Sequence, residues 1–105
     1  MAKKTVTLSL HAEELLEMLG YRIRQARLRR NLSVEEMAQQ TAIGKSTLTL
    51  IEKGMPTVSI GAYVAVLEVL ELEWDIEQVA LDENGKRKFR ELNIKRRERA
   101  SRRHT

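Results

Sequence analysis

The sequence predicts an all-α fold, a compact domain of five helices with a short strand before it and a basic tail behind it. Three observations predict this. Apolar residues recur at three- and four-residue spacing from Leu15 to Leu70, the period of a helix with one buried face. Serine, glycine and the single proline fall at the ends of those stretches, where helices start and stop. Hydrophobic residues make up 42% of the chain and aromatics only 4%, so the core must be aliphatic, which suits packed helices.

Thr5-Val6-Thr7-Leu8-Ser9-Leu10 alternates polar and apolar, a strand pattern rich in β-branched residues. No second strand follows to satisfy its backbone. Either a copy from another chain pairs with it, or it frays or simply extends the first helix. That helix is expected from Glu13 to Arg30, with Leu15, Leu16, Leu19, Ile23 and Ala26 as its apolar stripe and Arg22, Arg24, Arg29 and Arg30 mostly off it. Asn31 breaks it. Ser33 caps a second helix, and Glu36, three residues on, completes a capping box. Met37 marks its buried side. Ala42-Ile43-Gly44 makes a tight turn, the glycine permitting a conformation other residues avoid. A third helix, Lys45 to Glu52, turns Leu48 and Ile51 inward, with Gly54 as its cap and Pro56 forbidding continuation. Ser59 caps a fourth, carrying Ile60, Tyr63, Val64, Leu67 and Leu70. A fifth is expected from Trp74 to Leu81, and Asn84-Gly85 is a turn signal. The organisation is therefore a strand-like leader over residues 1–12, a helical domain over 13–82 and a basic tail over 83–105.

Composition excludes several classes of function. There is no cysteine, so neither disulfides nor thiolate metal sites hold the chain together, and a reducing cytoplasm is compatible. No secretory signal follows the first lysines, and no apolar run is long enough to span a membrane. His11 and His104 stand alone near the two ends, and the five glycines are scattered. Nothing assembles into a nucleophilic triad, a phosphate loop or a metal cluster. The chain is expected to be a cytoplasmic protein that is not an enzyme and needs no cofactor.

Charge is segregated along the chain. Residues 1–53 hold nine Lys/Arg against six Asp/Glu, residues 54–85 hold seven acids and no base, and residues 86–105 hold ten bases against two acids. Such segregation points to different partners for different parts. Beyond Phe89 the basic tail lacks interleaved aromatics for RNA stacking, and it lacks a strong apolar face for a membrane.

Two short helices, Ser33–Gln40 and Lys45–Glu52, joined by a tight turn describe a helix-turn-helix. The second exposes short polar and basic side chains where it would meet base edges. Lys45 can donate to guanine, Ser46 can bond base or phosphate, and the Thr49 methyl can meet that of thymine. Thr47 and Ser33 suit phosphate, the latter beside a helix N-terminus, and Leu50 completes the candidate DNA-binding set. The run Leu19-Gly20-Tyr21-Arg22-Ile23-Arg24-Gln25-Ala26-Arg27, then Leu32-Ser33-Val34-Glu35-Glu36-Met37-Ala38, then Ser46-Thr47-Leu48-Thr49-Leu50-Ile51-Glu52-Lys53-Gly54 resembles the λ-repressor-like, or XRE, helix-turn-helix family over roughly residues 15–72.

That resemblance implies a compact five-helix domain, dimeric binding to a double-stranded DNA operator and no catalysis. It matches Arg27 and Glu52 to a structural ion pair that sets the recognition helix. It also marks a departure. Many relatives carry a phosphate-touching glutamine after the capping serine, where this chain has Val34, so that half of the backbone clamp is in doubt. The leader, Thr57-Val58-Ser59-Ile60 and the Arg-rich tail resemble, more loosely, HipB-type antitoxins, which bind a HipA-like kinase toxin and repress their shared operon. A stand-alone XRE or phage-type repressor without a toxin is the alternative. Val6, Leu8 and Leu10 are the expected homodimer contacts, through an antiparallel ribbon across a two-fold axis. Trp74, amid Glu71, Glu73, Asp75 and Glu77, is either core or the anchor for a protein partner. The tail is open between DNA, toxin and no partner.

Overall fold

The computed structural model describes residues 6–82 and 86–103, with side chains defined over 6–82 and 91–99. Thr5, the Asn84-Gly85 turn and His104 lie outside the described residues. The chain divides after Trp74 into two compact units.

The first unit is built from four helices, α1 (Leu10–Arg29), α2 (Val34–Thr41), α3 (Lys45–Glu52) and α4 (Ile60–Val69). The starts of α1, α2 and α4 follow from hydroxyl caps. Ser9 Oγ accepts from the Ala12 amide at 3.1 Å, and Ser59 Oγ from the Ala62 amide at 3.2 Å. Ser33 Oγ accepts from Glu36 N while Glu36 Oε1 accepts from Ser33 N, both at 3.0 Å. Each satisfies amides that the first turn leaves without partners. Helix α1 packs on α3, and α2 on both α3 and α4. Ile23, Ala26, Met37, Leu48, Ile51, Tyr63, Val66, Leu67 and Leu70 form the core. The Tyr63 hydroxyl donates to the Met55 carbonyl at 2.7 Å, fastening α4 to the loop that leaves α3, and burial raises its pKa.

Several expectations are corrected. No strand occurs among the described residues. Ser9 caps a helix that begins at Leu10, so the last apolar position of the alternating stretch is helical and cannot belong to a ribbon. The fifth helix is a shorter 3₁₀ segment, Glu73–Gln78, in which Trp74 is 70% exposed and therefore not core. Leu15 and Ile60 are also exposed, while Val66, outside the expected stripe, is fully buried. In the α2–α3 turn the left-handed residue is Ala42, with φ 57°, whereas Gly44 is extended with φ −64°.

In the second unit, Lys86–Arg103 forms α5, an 18-residue helix, where polarity alone predicts a tail unable to fold by itself. Straight-chain helix formers dominate it, with no Gly or Pro, and Glu91 precedes Lys95 at the favourable four-residue spacing. Among the described residues no helix is long and apolar enough to cross a membrane. No group of three or more His, Cys, Asp or Glu among them could hold a metal ion.

Candidate nucleic-acid interface

The position of α3 is set by three devices. The first is ionic. Arg27 Nε donates to Glu52 Oε2 at 2.7 Å and Nη2 to Oε1 at 3.1 Å, a two-pronged pair between α1 and the last residue of α3. Nη1 donates to the Leu32 carbonyl at 2.8 Å. Arg27 is 6% exposed, and its bond to Glu52 raises its pKa above an already high value, so it stays charged. The second is close backbone approach. A Cβ on Gly20 would sit 2.6 Å from the Glu52 carbonyl oxygen and the Gly54 amide nitrogen, so α1 meets the end of α3 where no side chain fits. The third is Gly54, whose φ of +72° and contact with the Leu16 carbonyl admit only glycine.

Held this way, α3 turns Leu48 and Ile51 inward and leaves Lys45, Ser46, Thr49 and Leu50 exposed, with Thr47 half-buried. Leu50 puts an apolar group on the outer face. The Thr49 hydroxyl donates to the Lys45 carbonyl at 3.0 Å, which leaves its oxygen to accept and its methyl to make apolar contact. Lys45 Nζ lies 3.4 Å from Glu35 Oε1 on α2, both well exposed. The bond from its own amide and then Lys45 hold the Glu35 carboxyl below its usual pKa. Gly44 supplies no side-chain cap to α3, so its first-turn amides face outward without a side-chain acceptor.

Other expected residues fall elsewhere. The Ser33 hydroxyl is engaged in the capping box. Val34 is packed against the core, which explains the departure from glutamine: this position contributes packing. Val6 and Leu10 are exposed and Leu8 is half-buried, outside any sheet. Sequence reasoning missed Arg24 and Lys53, which with Thr49 and Glu52 line a shallow depression at the edge of α3. The available signal was the arginine off the α1 stripe and the lysine directly after α3.

Two helices at a tight turn, one braced from behind and open in front, are the geometry of a major-groove reader. A family model described as helix-turn-helix domain matches residues 18–81. The chain belongs to the helix-turn-helix domain family. Membership makes it a DNA-binding regulator. No curated protein matches the chain.

Proposed function

We propose that this helix-turn-helix protein is a sequence-specific transcriptional repressor of the λ-repressor-like, XRE type, binding a palindromic operator as a homodimer. The observation that carries it is the outer face of α3: Lys45, Ser46, Thr49 and Leu50 are exposed together on a helix braced from behind by Arg27 and Gly20. Lys45 donates to guanine, Thr49 and Leu50 offer methyl groups to thymine, and Ser46 bonds either base or phosphate. Thr47, Arg24 and Lys53 serve the phosphates. Selection of bound duplexes from a random pool, followed by footprinting, tests this. The expected result is two inverted half-sites about one helical turn apart, with affinity falling steeply as salt rises. A pool that yields no common sequence would reject it.

A narrower reading, an antitoxin that holds a HipA-like kinase and represses its own operon, is supported by the likeness of Thr57-Val58-Ser59-Ile60 and of the Arg-rich tail and by the exposed Trp74 in an acidic stretch. Exposed tryptophans are favoured interface anchors. Co-purification from the native operon with and without Trp74→Ala tests it. A kinase retained by the wild type and lost by the variant is expected, and no kinase in either preparation would reject it.

A further inference from the structure

Helix α1 has two working faces. Gly20, Ile23, Ala26 and Arg27 are buried in the domain. On the other side His11, Glu14, Leu15, Met18, Tyr21 and Arg22 recur at three- and four-residue spacing. At 3.6 residues per turn they fall within about a third of the helix circumference. A solvated helix face is normally polar, whereas three large apolar side chains lie along this one. Leu15 is 51%, Met18 50% and Tyr21 60% exposed, and Met18 and Tyr21 line a shallow depression with Glu14, Glu17 and Arg22. Contiguous exposed apolar side chains rimmed by charge mark a contact surface.

The charges on the rim name the occupant. Glu14 precedes Met18 by four residues and Arg22 follows it by four. A two-fold axis through Met18, with two copies of α1 antiparallel, puts Glu14 of one chain level with Arg22 of the other, about 6 Å along the helix on each side of the axis. Met18 then faces its own copy, with Leu15 and Tyr21 of both chains beside it. A parallel pairing would set Glu14 on Glu14 and Arg22 on Arg22. A two-fold interface must be self-complementary, and this face is so in one orientation only. We propose that the outer face of α1 is the homodimer interface, a second copy packing antiparallel across Met18 with Glu14–Arg22 pairs closing both ends. The proposal rests on the dimeric reading above and replaces the Val6–Leu10 ribbon as its interface.

The test is sedimentation of the full chain over a range of concentrations. Met18→Arg sets two like charges face to face on the axis and is expected to raise the dimer dissociation constant roughly 100-fold. Met18 lies on the outer face, so at concentrations where the wild type is itself monomeric the melting temperature should not move. Glu14→Arg and Arg22→Glu should each weaken their own homodimers. Mixed in equal amounts they should recover a dimer near wild-type strength, because each offers the charges the other lacks. A wild-type dimer that all three substitutions leave intact would overturn the α1 interface and keep the dimer. A wild type that stays monomeric at every concentration, free and on duplex DNA, would overturn the dimeric reading and this interface with it. Should Met18→Arg also lower the melting temperature, the mixing experiment decides, and failure to recover a dimer rejects the proposal.

Discussion

Replacing Arg27 by alanine removes more than a surface charge. Two bonds to Glu52, at 2.7 and 3.1 Å, and one to the Leu32 carbonyl, at 2.8 Å, disappear together. The side chain of Glu52 is 10% exposed, so water cannot readily take the place of the guanidinium. Removing one partner from such a pair costs about 3–5 kcal/mol, chiefly because the other charge is left uncompensated. That is a large share of the ~5–15 kcal/mol that holds a small domain together. At roughly 4–8 °C per kcal/mol for a domain of this size, the melting temperature should fall by about 12–40 °C. Urea or thermal unfolding followed by circular dichroism measures it. Two companions separate causes. Arg27→Lys keeps the charge but not the two-pronged geometry and should fall between wild type and Arg27→Ala. Arg27→Ala with Glu52→Ala should lose less than the sum of the two single losses, because the pair acts as a unit. A melting temperature within 2–3 °C of wild type for Arg27→Ala, well inside the roughly 12 °C minimum, would show that the pair does not brace α3.

Gly20→Ala would gain about 1 kcal/mol by helix propensity alone, yet its Cβ meets three backbone atoms of residues 51, 52 and 54 at 2.6–2.7 Å. A net loss of roughly 1–3 kcal/mol is expected from that overpacking, and a stabilised variant in chemical denaturation would contradict the close approach of α1 and α3. Ala42→Gly should act the opposite way. Ala42 sits at φ 57°, where a Cβ is unfavourable, so relief of strain should outweigh the added freedom of the unfolded chain for a gain of up to about 1 kcal/mol. For Glu36, the bond from the Ser33 amide holds the carboxyl below its ordinary value of 4.5. A depressed folded-state pKa contributes stability above the unfolded value and loses it as pH falls through the folded one. Glu36→Gln should therefore be less stable than wild type at pH 7, and the difference should shrink as pH falls below the ordinary value and through the lowered one. A difference that persists unchanged at pH 3 would exclude the charged half of the capping box.

The recognition unit was legible because its boundaries are chemical. Ser33 with Glu36 starts α2, and Pro56 closes the stretch after α3, so the two short helices fall within a residue of their expected bounds. The Arg27–Glu52 pair was reached by resemblance, since residues 25 apart carry no local pattern. Periodicity misled at the ends. Thr5–Leu10 alternates like a strand, but Ser9 is three residues before an amide it can cap, and the cap prevails over an alternation with no partner strand. Trp74 to Leu81 reads as a helix, where the structure has a shorter 3₁₀ segment, Glu73–Gln78. Helix α5 is strongly basic with few apolar residues, which composition reads as disorder, although most of its residue types are strong helix formers. Arg24 was invisible as a site residue because its neighbours Thr49 and Lys53 come from another helix.

The central claim is that the outer face of α3 reads bases. The most direct test compares dissociation constants for the selected operator and for an unrelated duplex of equal length, at one salt concentration, for wild type, Lys45→Ala and Thr49→Ala. Both side chains are exposed, so neither change should unfold the domain. Each should weaken operator binding by roughly 1–3 kcal/mol and relax selectivity at one base position. Unrelated DNA should be bound almost as before by Thr49→Ala, and by Lys45→Ala with the small loss that one fewer positive charge entails. Operator affinity and selectivity unchanged in both variants would contradict the claim.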